Sequence, residues 1–252
     1  MSKIALITGA TAGIGEACAH TFAREKYNLI ITGRRADRLE NLSKKLSEEY
    51  GVEVIALEFD VRDRETVISN LEGLPADWKK VDVLINNAGL SQGLDPIQNG
   101  KYEDWETMID TNVKGLLYVS KVVSNWMIAN KSGHIINMGS IAGKEIYANG
   151  NVYCASKAAV DFLNKGMRVD LLPYGIRVTA IHPGAVETEF AQVRFHGDKE
   201  RAKKVYEGII PLVAEDVAET IWFVASRPAH VNINEIVMVP TAQANATTFF
   251  RQ

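Results

Sequence analysis

The sequence predicts a single doubly wound α/β domain, with a seven-stranded parallel sheet and helices on both faces. Short β-branched apolar runs alternate with longer helical stretches along the chain. Strand–helix–strand repetition of this kind builds a parallel sheet whose crossovers cover both faces. The first apolar run leads into a glycine-rich turn and then an amphipathic helix. The length of 252 residues, 46% of them hydrophobic, suits one sizeable core.

Ile4 to Ile7 is short and apolar throughout, so it reads as a buried strand. Ile14, Ala17, Cys18, Thr21 and Phe22 then recur at helical spacing. Leu29 to Thr32 is the second strand, and Asp37 is read as the cap of a helix running to Tyr50. Val52 to Phe59 and Val81 to Asn86 are the third and fourth strands. One long helical region is expected from about Trp105 to Ala129, followed by a fifth strand, His134 to Met138. A helix from about Asn151 to Leu172 is stopped by Pro173 and Gly175. Ile176 to Ile181 is the sixth strand. Residues 185–212 are mixed and polar, and are expected to form a substrate loop with short helices. Ala214 to Ser226 is helical, Glu235 to Val239 is the seventh strand, and 241–252 is a polar tail. No linker or repeat divides the chain, so 1–252 is read as one domain.

The net charge of −3 provides no basic footprint for nucleic acid or an anionic membrane. No apolar run approaches bilayer length. Two cysteines, Cys18 and Cys154, make no disulfide framework and are expected as reduced thiols of a cytoplasmic protein. The five histidines show no metal-ligand spacing, and no metal is expected.

Ligands of open parallel sheets bind beyond the carboxyl ends of the strands. After the first strand comes Gly9-Ala10-Thr11-Ala12-Gly13-Ile14-Gly15. Glycines there let the backbone turn tightly against a pyrophosphate, and the helix N-terminus supplies free N–H groups. After the second strand comes Gly33-Arg34-Arg35, where an NAD site usually carries an acid. Two guanidinium groups suit a 2′-phosphate, so the expected cofactor is NADP, held by Arg34 and Arg35. Exposed arginines with no ligand are the competing reading. Asp60-Val61 is placed to flank an adenine. Asn87-Ala88-Gly89 would let backbone approach a ribose. Each of these two is weak alone, because a polar turn explains it equally.

Ser140 follows the fifth strand, and Tyr153 and Lys157 share a helix face at i and i+4. A phenol of pKa about 10 is a poor base near neutrality, and lowering it by about 3 units takes roughly 4 kcal/mol. One cation at about 4 Å supplies about that much at an effective dielectric near 20. Lys157 is read as that cation, Tyr153 as the acid/base, and Ser140 as a hydrogen-bond partner of the substrate oxygen. Cys154 lies within this motif on another face and is read as packing.

With these residues assembled, the chain from about Lys3 to Val239 resembles the short-chain dehydrogenase/reductase family, whose fold is Rossmann-type. The resemblance rests on the glycine turn, Asn86-Asn87-Ala88-Gly89, Asn112, Ser140, Tyr153-x-x-x-Lys157 and Pro183-Gly184. It implies that Lys157 also binds the nicotinamide ribose and that Asn112 holds a water in a proton relay. Pro183, Gly184, Val186, Glu187 and Thr188 would contact the nicotinamide end. Relatives that prefer NADP often carry a basic residue at the position of Ala12, so here the preference rests on Arg34 and Arg35.

A narrower resemblance, to bacterial NADP-dependent 3-hydroxy acid dehydrogenases, rests on Thr32-Gly33-Arg34-Arg35, Asp104 to Met108, Val193-Arg194-Phe195 and Pro228 to Asn232. It implies a small substrate of the serine, allo-threonine or 3-hydroxypropionate/malonic semialdehyde type. Arg194 is then expected to bind the carboxylate, against the plainer reading that it pairs with Glu187, Glu189 or Asp198. A 3-oxoacyl thioester or general carbonyl reductase is the alternative within enzymes, and a non-catalytic NADP-binding regulator the alternative outside them. The family further implies a homotetramer. The tail, with Phe249, Phe250 and Arg251, is expected to pack on a neighbouring subunit.

Overall fold

Successive residues of the buried strands point to opposite faces, and the sequence makes both faces apolar. In the computed structural model, which describes residues 2–252, Ala5 and Ile7 enter one core layer while Ile4 and Leu6 enter the other. Seven parallel strands result: β1 (Ile4–Ile7), β2 (Asn28–Gly33), β3 (Val54–Glu58), β4 (Val83–Asn86), β5 (His134–Met138), β6 (Arg177–Pro183) and β7 (Glu235–Met238). Their order is β3-β2-β1-β4-β5-β6-β7. Ala5 of β1 lies beside Leu29 on one side and Val83 on the other. The strand order reverses between β1 and β4, and that crevice is where a ligand of such a sheet binds.

Helices α1 (Gly13–Arg24), α2 (Ala36–Tyr50) and α9 (Ala214–Ala225) cover one face. Phe22, Leu46 and Ile221 are among the residues they bury there. Helices α3 (Arg64–Glu72) and α5 (Leu116–Asn130) cover the other face through Val67, Leu71, Val119, Val123 and Met127. Truncating a side chain as fully buried as Phe22 to Ala costs about 3–5 kcal/mol. The remaining helices are α4 (Tyr102–Ile109), α6 (Asn151–Leu171), α7 (Phe190–Arg194) and α8 (Lys199–Lys204). The last two lie within the expected substrate loop. No helix among the described residues is long and apolar enough to cross a membrane.

Two local expectations are corrected, one helix is added, and the tail makes contacts within its own chain. The region expected as one helix from Trp105 is interrupted by a π-helical stretch, Asp110–Gly115, between α4 and α5. There Gly115 lies so close to Val61 that a Cβ would come within 2.7 Å of its Cγ2. Asp37 does not cap α2: Arg35 holds the N-cap position, and Asp37 contributes its charge in the first turn. Helix α3 was not anticipated, although Asp63 caps it by accepting from the N–H groups of Glu65 and Thr66. The C-terminal tail folds back on its own chain. Gln252 N–H donates to Gly208 O at 3.0 Å, Arg251 bonds the Glu207 carbonyl, and only Phe250 among the tail aromatics stays fully outside.

Candidate functional site

The glycine turn leads from β1 into α1. Gly9 has φ +67°, and a Cβ on Gly15 would lie 2.3 Å from Gly9 O and 2.5 Å from Asn87 Nδ2. Only glycine fits that second position, because both neighbours are held by the fold. Ala12 caps α1 without any side-chain hydrogen bond, so the first-turn N–H groups are left for an external acceptor. Thr11, Ala12, Gly13 and Ile14 line this end of the helix. The turn therefore fits a dinucleotide diphosphate.

Asn87 ties the end of β4 to this turn. Its Nδ2 donates to Thr8 O at 2.9 Å, and the N–H groups of Asn87 and Ala88 both donate to Thr8 Oγ1 at 3.0 Å. Two expected adenine contacts are altered. The Val61 side chain goes into the core, so only its main chain remains for a ligand. The Asp60 carboxylate accepts from Arg62 at 2.7 and 2.9 Å and lies 3.7 Å from Arg34. Burial pushes its pKa up, but Arg62 and Arg34 outweigh that and hold it below the usual carboxylate range.

Ser140, Tyr153, Lys157 and Asn112 converge from β5, α6 and the π-helical stretch. Ser140 Oγ accepts the Ala142 N–H at 3.1 Å, leaving its own proton to donate. Lys157 Nζ donates to Met138 O at 2.8 Å, and burial lowers its pKa to about 8. A Cβ on Gly89 would meet Asn112 Oδ1 at 3.2 Å and Lys157 Nζ at 3.4 Å, which places both polar ends beside the Gly89 backbone. Asn112 is held by Leu90 N–H and C=O, both at 2.8 Å, and by Ser156 Oγ at 3.0 Å.

The electrostatics of Tyr153 differ from expectation. Burial raises its pKa, while the Arg194 charge and a hydrogen bond with Ser140 pull it down. The Lys157 ammonium donates to the Met138 carbonyl. Arg194 stands over the Tyr153 ring, 5.2 Å from the centroid, with Tyr147 and Phe190 at 5.5 and 5.3 Å. Its Nε donates to Ser91 Oγ at 3.0 Å and one terminal nitrogen to Tyr147 Oη at 2.5 Å. It has no carboxylate partner among the described residues. Glu189 is instead paired with Arg35 and Arg38.

At the end of β6, Gly184 N–H donates to Met238 O at 2.8 Å, and a Cβ there would meet Gln243 Oε1 at 2.3 Å. Gly184 thus packs against the tail at Gln243. Val186 O accepts from Tyr206 Oη at 2.8 Å, Glu187 N–H donates to Leu212 O at 2.9 Å, and Thr188 Oγ1 caps Phe190 N–H.

Ser91, Tyr147 and Arg38 escaped the sequence reading. Arg38 was legible as the i+3 neighbour of Arg35 on one helix face; Ser91 and Tyr147 carry no local signal. A further cluster lies behind Ser140. His182, 0% exposed, faces Ser140 O through Nδ1 at 3.3 Å. Its Nε2 lies 3.5 Å from Asp161, and Glu235 completes a group whose ligand atoms fall within 4.8 Å of one another. Sequence spacing missed this group because its members come from α6, β6 and β7. Lys144 supplies the cation there, 3.0 Å from Asp161 and 2.6 Å from Glu235.

Comparison with known proteins agrees with this geometry. Residues 3–199 match the short chain dehydrogenase family. The NADP-dependent 3-hydroxy acid dehydrogenase YdfG of Salmonella typhi is 48% identical over 244 residues, 96% of this chain and 97% of that protein. Sulfoacetaldehyde reductase 2 of Chromohalobacter salexigens is 46% identical, covering 97% of this chain and 96% of that protein. A serine dehydrogenase solved in its closed form with NADP+ superposes with a TM-score of 0.92 at 45% identity, covering 99% of both chains. The chain belongs to the short-chain dehydrogenase family.

Proposed function

We propose that this protein is an NADP-dependent oxidoreductase that interconverts a small 3-hydroxy acid and its carbonyl partner. NADP, when bound, supplies the hydride acceptor or donor. In the oxidative direction the Tyr153 phenolate takes the hydroxyl proton as the C–H bond gives up its hydride, and a C=O bond forms. In reduction Tyr153–OH returns that proton. Ser140 donates a hydrogen bond to the substrate oxygen throughout, so that oxygen keeps one geometry as its charge changes. Lys157 holds the nicotinamide ribose, and Asn112 orders the proton path behind it. The turn from Gly9 to Gly15 would hold the diphosphate. The residues from Pro183 to Thr188 face the nicotinamide end.

The observation that carries the substrate class is Arg194. It stands over the acid/base ring with no acidic partner of its own, and one terminal nitrogen stays clear of Ser91 and Tyr147. A carboxylate a few bonds from the reacting carbon fits that edge, with charge and forked donors fixing its orientation. The relatives with printed substrates support this, since 3-hydroxy acids, serine and sulfoacetaldehyde are all small and each carries a carboxylate or sulfonate. A substrate panel with NADP tests it: 3-hydroxy acids must outpace uncharged alcohols and acyl thioesters by kcat/KM. A thioester preference would transfer the reading to an acyl reductase, and no turnover of any of them to a non-catalytic regulator.

The same reading takes the protein to be a cytoplasmic homotetramer. Both cysteines are free and buried. Phe162 and Val169 on α6, with Leu172 just past its end, are exposed apolar residues that a subunit contact would cover. Light scattering at micromolar concentration tests it, and a monomer mass overturns it.

A further inference from the structure

Arg34 and Arg35 are adjacent in sequence but do different things in the fold. Every nitrogen of the Arg35 guanidinium is engaged. Nε and Nη2 donate to Thr11 Oγ1 at 3.2 and 2.9 Å, Nη2 also reaches Thr11 O at 3.2 Å, and Nη1 pairs with Glu189 Oε2 at 2.9 Å. Arg38, one turn along α2, pairs with the other Glu189 oxygen at 2.8 Å. Arg34 points elsewhere, exposed, with only Asp60 near it at 3.7 Å.

Glu189 occupies a mechanical position. It is the N-cap residue of α7, the short helix whose last residue is Arg194. Its neighbour Thr188 rests on the glycine turn, where a Cβ on Gly13 would meet Thr188 Cγ2 at 3.1 Å. At the far end, the Arg194 carbonyl accepts the Gly93 N–H at 3.0 Å and His196 pairs with Asp104 at 3.2 Å. The helix is thus tied down at both ends. The Glu189 end is tied across the groove to the element that carries the expected phosphate-binding arginines.

We propose that Glu189, clasped by Arg35 and Arg38, is the positioning residue that holds the α7 lid shut over a bound dinucleotide and sets Arg194 over Tyr153, while Arg34 is left to read the 2′-phosphate. This rests on the cofactor placement proposed above. Exposed ion pairs add little to global stability. A lid, however, is a two-state element of small free-energy difference, so two arginines on one carboxylate weigh heavily in its opening. Opening at the Glu189 end frees the dinucleotide and moves Arg194, so cofactor release and substrate carboxylate binding share one device.

The test is NADPH release, followed by fluorescence in a stopped-flow chase with no hydroxy acid present. Glu189→Gln is expected to speed release by roughly 10-fold, the weight of a small ion-pair network on a lid, and Arg38→Ala by less, since Arg35 still holds the carboxylate. The double variant should be no faster than Glu189→Gln alone, because that change already removes the partner of Arg38. Glu189→Asp should restore part of the slow release. Added salt should speed the wild type by a larger factor than Glu189→Gln, in which only the attraction between Arg34 and the phosphate is left to screen. In steady state Glu189→Gln should raise KM for the hydroxy acid more than it lowers kcat. The ratio of NADP to NAD affinity should persist in Glu189→Gln and collapse in Arg34→Ala. Unchanged release in Glu189→Gln, or strictly additive effects, would overturn the clasp. So would selective tightening of NADP+, which would make Glu189 a competitor of the phosphate. A wild type that binds no NADPH would instead overturn the cofactor reading itself, and the clasp with it.

Discussion

The guanidinium of Arg194, at the end of α7, lies 5.2 Å from the ring centroid of Tyr153 on α6. Lid and acid/base group are therefore in direct register. Replacing Arg194 with Ala is expected to lower kcat/KM for 3-hydroxy acids by roughly 10–10² fold, the worth of a charged hydrogen-bond pair. Turnover of an uncharged alcohol should be spared. Lysine should restore little, because it lacks the planar fork. Equal losses on charged and uncharged substrates would show that Arg194 shapes the lid and binds no carboxylate.

Tyr153→Phe is expected to lower turnover by about 10²–10⁴ fold, the range for loss of a general acid/base. NADPH affinity should hardly change, as the ring keeps its packing against Phe190 at 5.6 Å. Fluorescence titration and steady-state rates separate the two effects. A variant within a few-fold of wild type removes Tyr153 from the mechanism.

Cofactor choice is expected to reside in Arg34. An acid at Gly33 is a poor probe, because a Cβ there would lie 2.7 Å from Thr11 Cγ2 and disturb the glycine turn. Arg34→Asp leaves that packing alone. It should reverse the NADP over NAD preference, with a change of roughly 10² fold or more in the ratio of kcat/KM values, since charged hydrogen bonds are lost and repulsion is gained. An unchanged ratio would return the assignment to Arg35.

Lys157 links stability to pH. Its pKa falls from 10.5 to about 8 on folding because burial penalises the ammonium. Between those values the unfolded chain binds more protons than the folded one, so this group's contribution to stability rises with pH there. Below pH 8 its burial costs up to about 3 kcal/mol. Lys157→Met removes that term and leaves the Met138 carbonyl without its donor, a penalty that does not depend on pH. The Tm of the variant minus that of the wild type should therefore be highest below pH 8 and fall as pH climbs toward 10.5. A difference independent of pH would show that Lys157 is not destabilised by burial.

Much of this protein was legible in its sequence, because the signals are local. Alternation of period two fixes which strand residues face which core layer, as in Ile4 to Ile7. A glycine turn after the first strand and a Tyr-x-x-x-Lys pair on one helix face need no knowledge of distant chain. Adjacent sequence also tells that Gly33-Arg34-Arg35 follows the second strand. It does not tell which arginine faces the ligand, since that depends on where Glu189 arrives, 154 residues later. The partner of Arg194, the turning of Lys157 to Met138, and the meeting of Asp161, His182 and Glu235 were likewise decided by the fold. So was the break in the helix at Asp110, where Gly115 approaches Val61. The physical reason is the same in each case. Backbone periodicity and turn chemistry act over a few residues, whereas side-chain pairing and burial depend on which crossovers bring separate strand ends, and the lid above them, to one crevice.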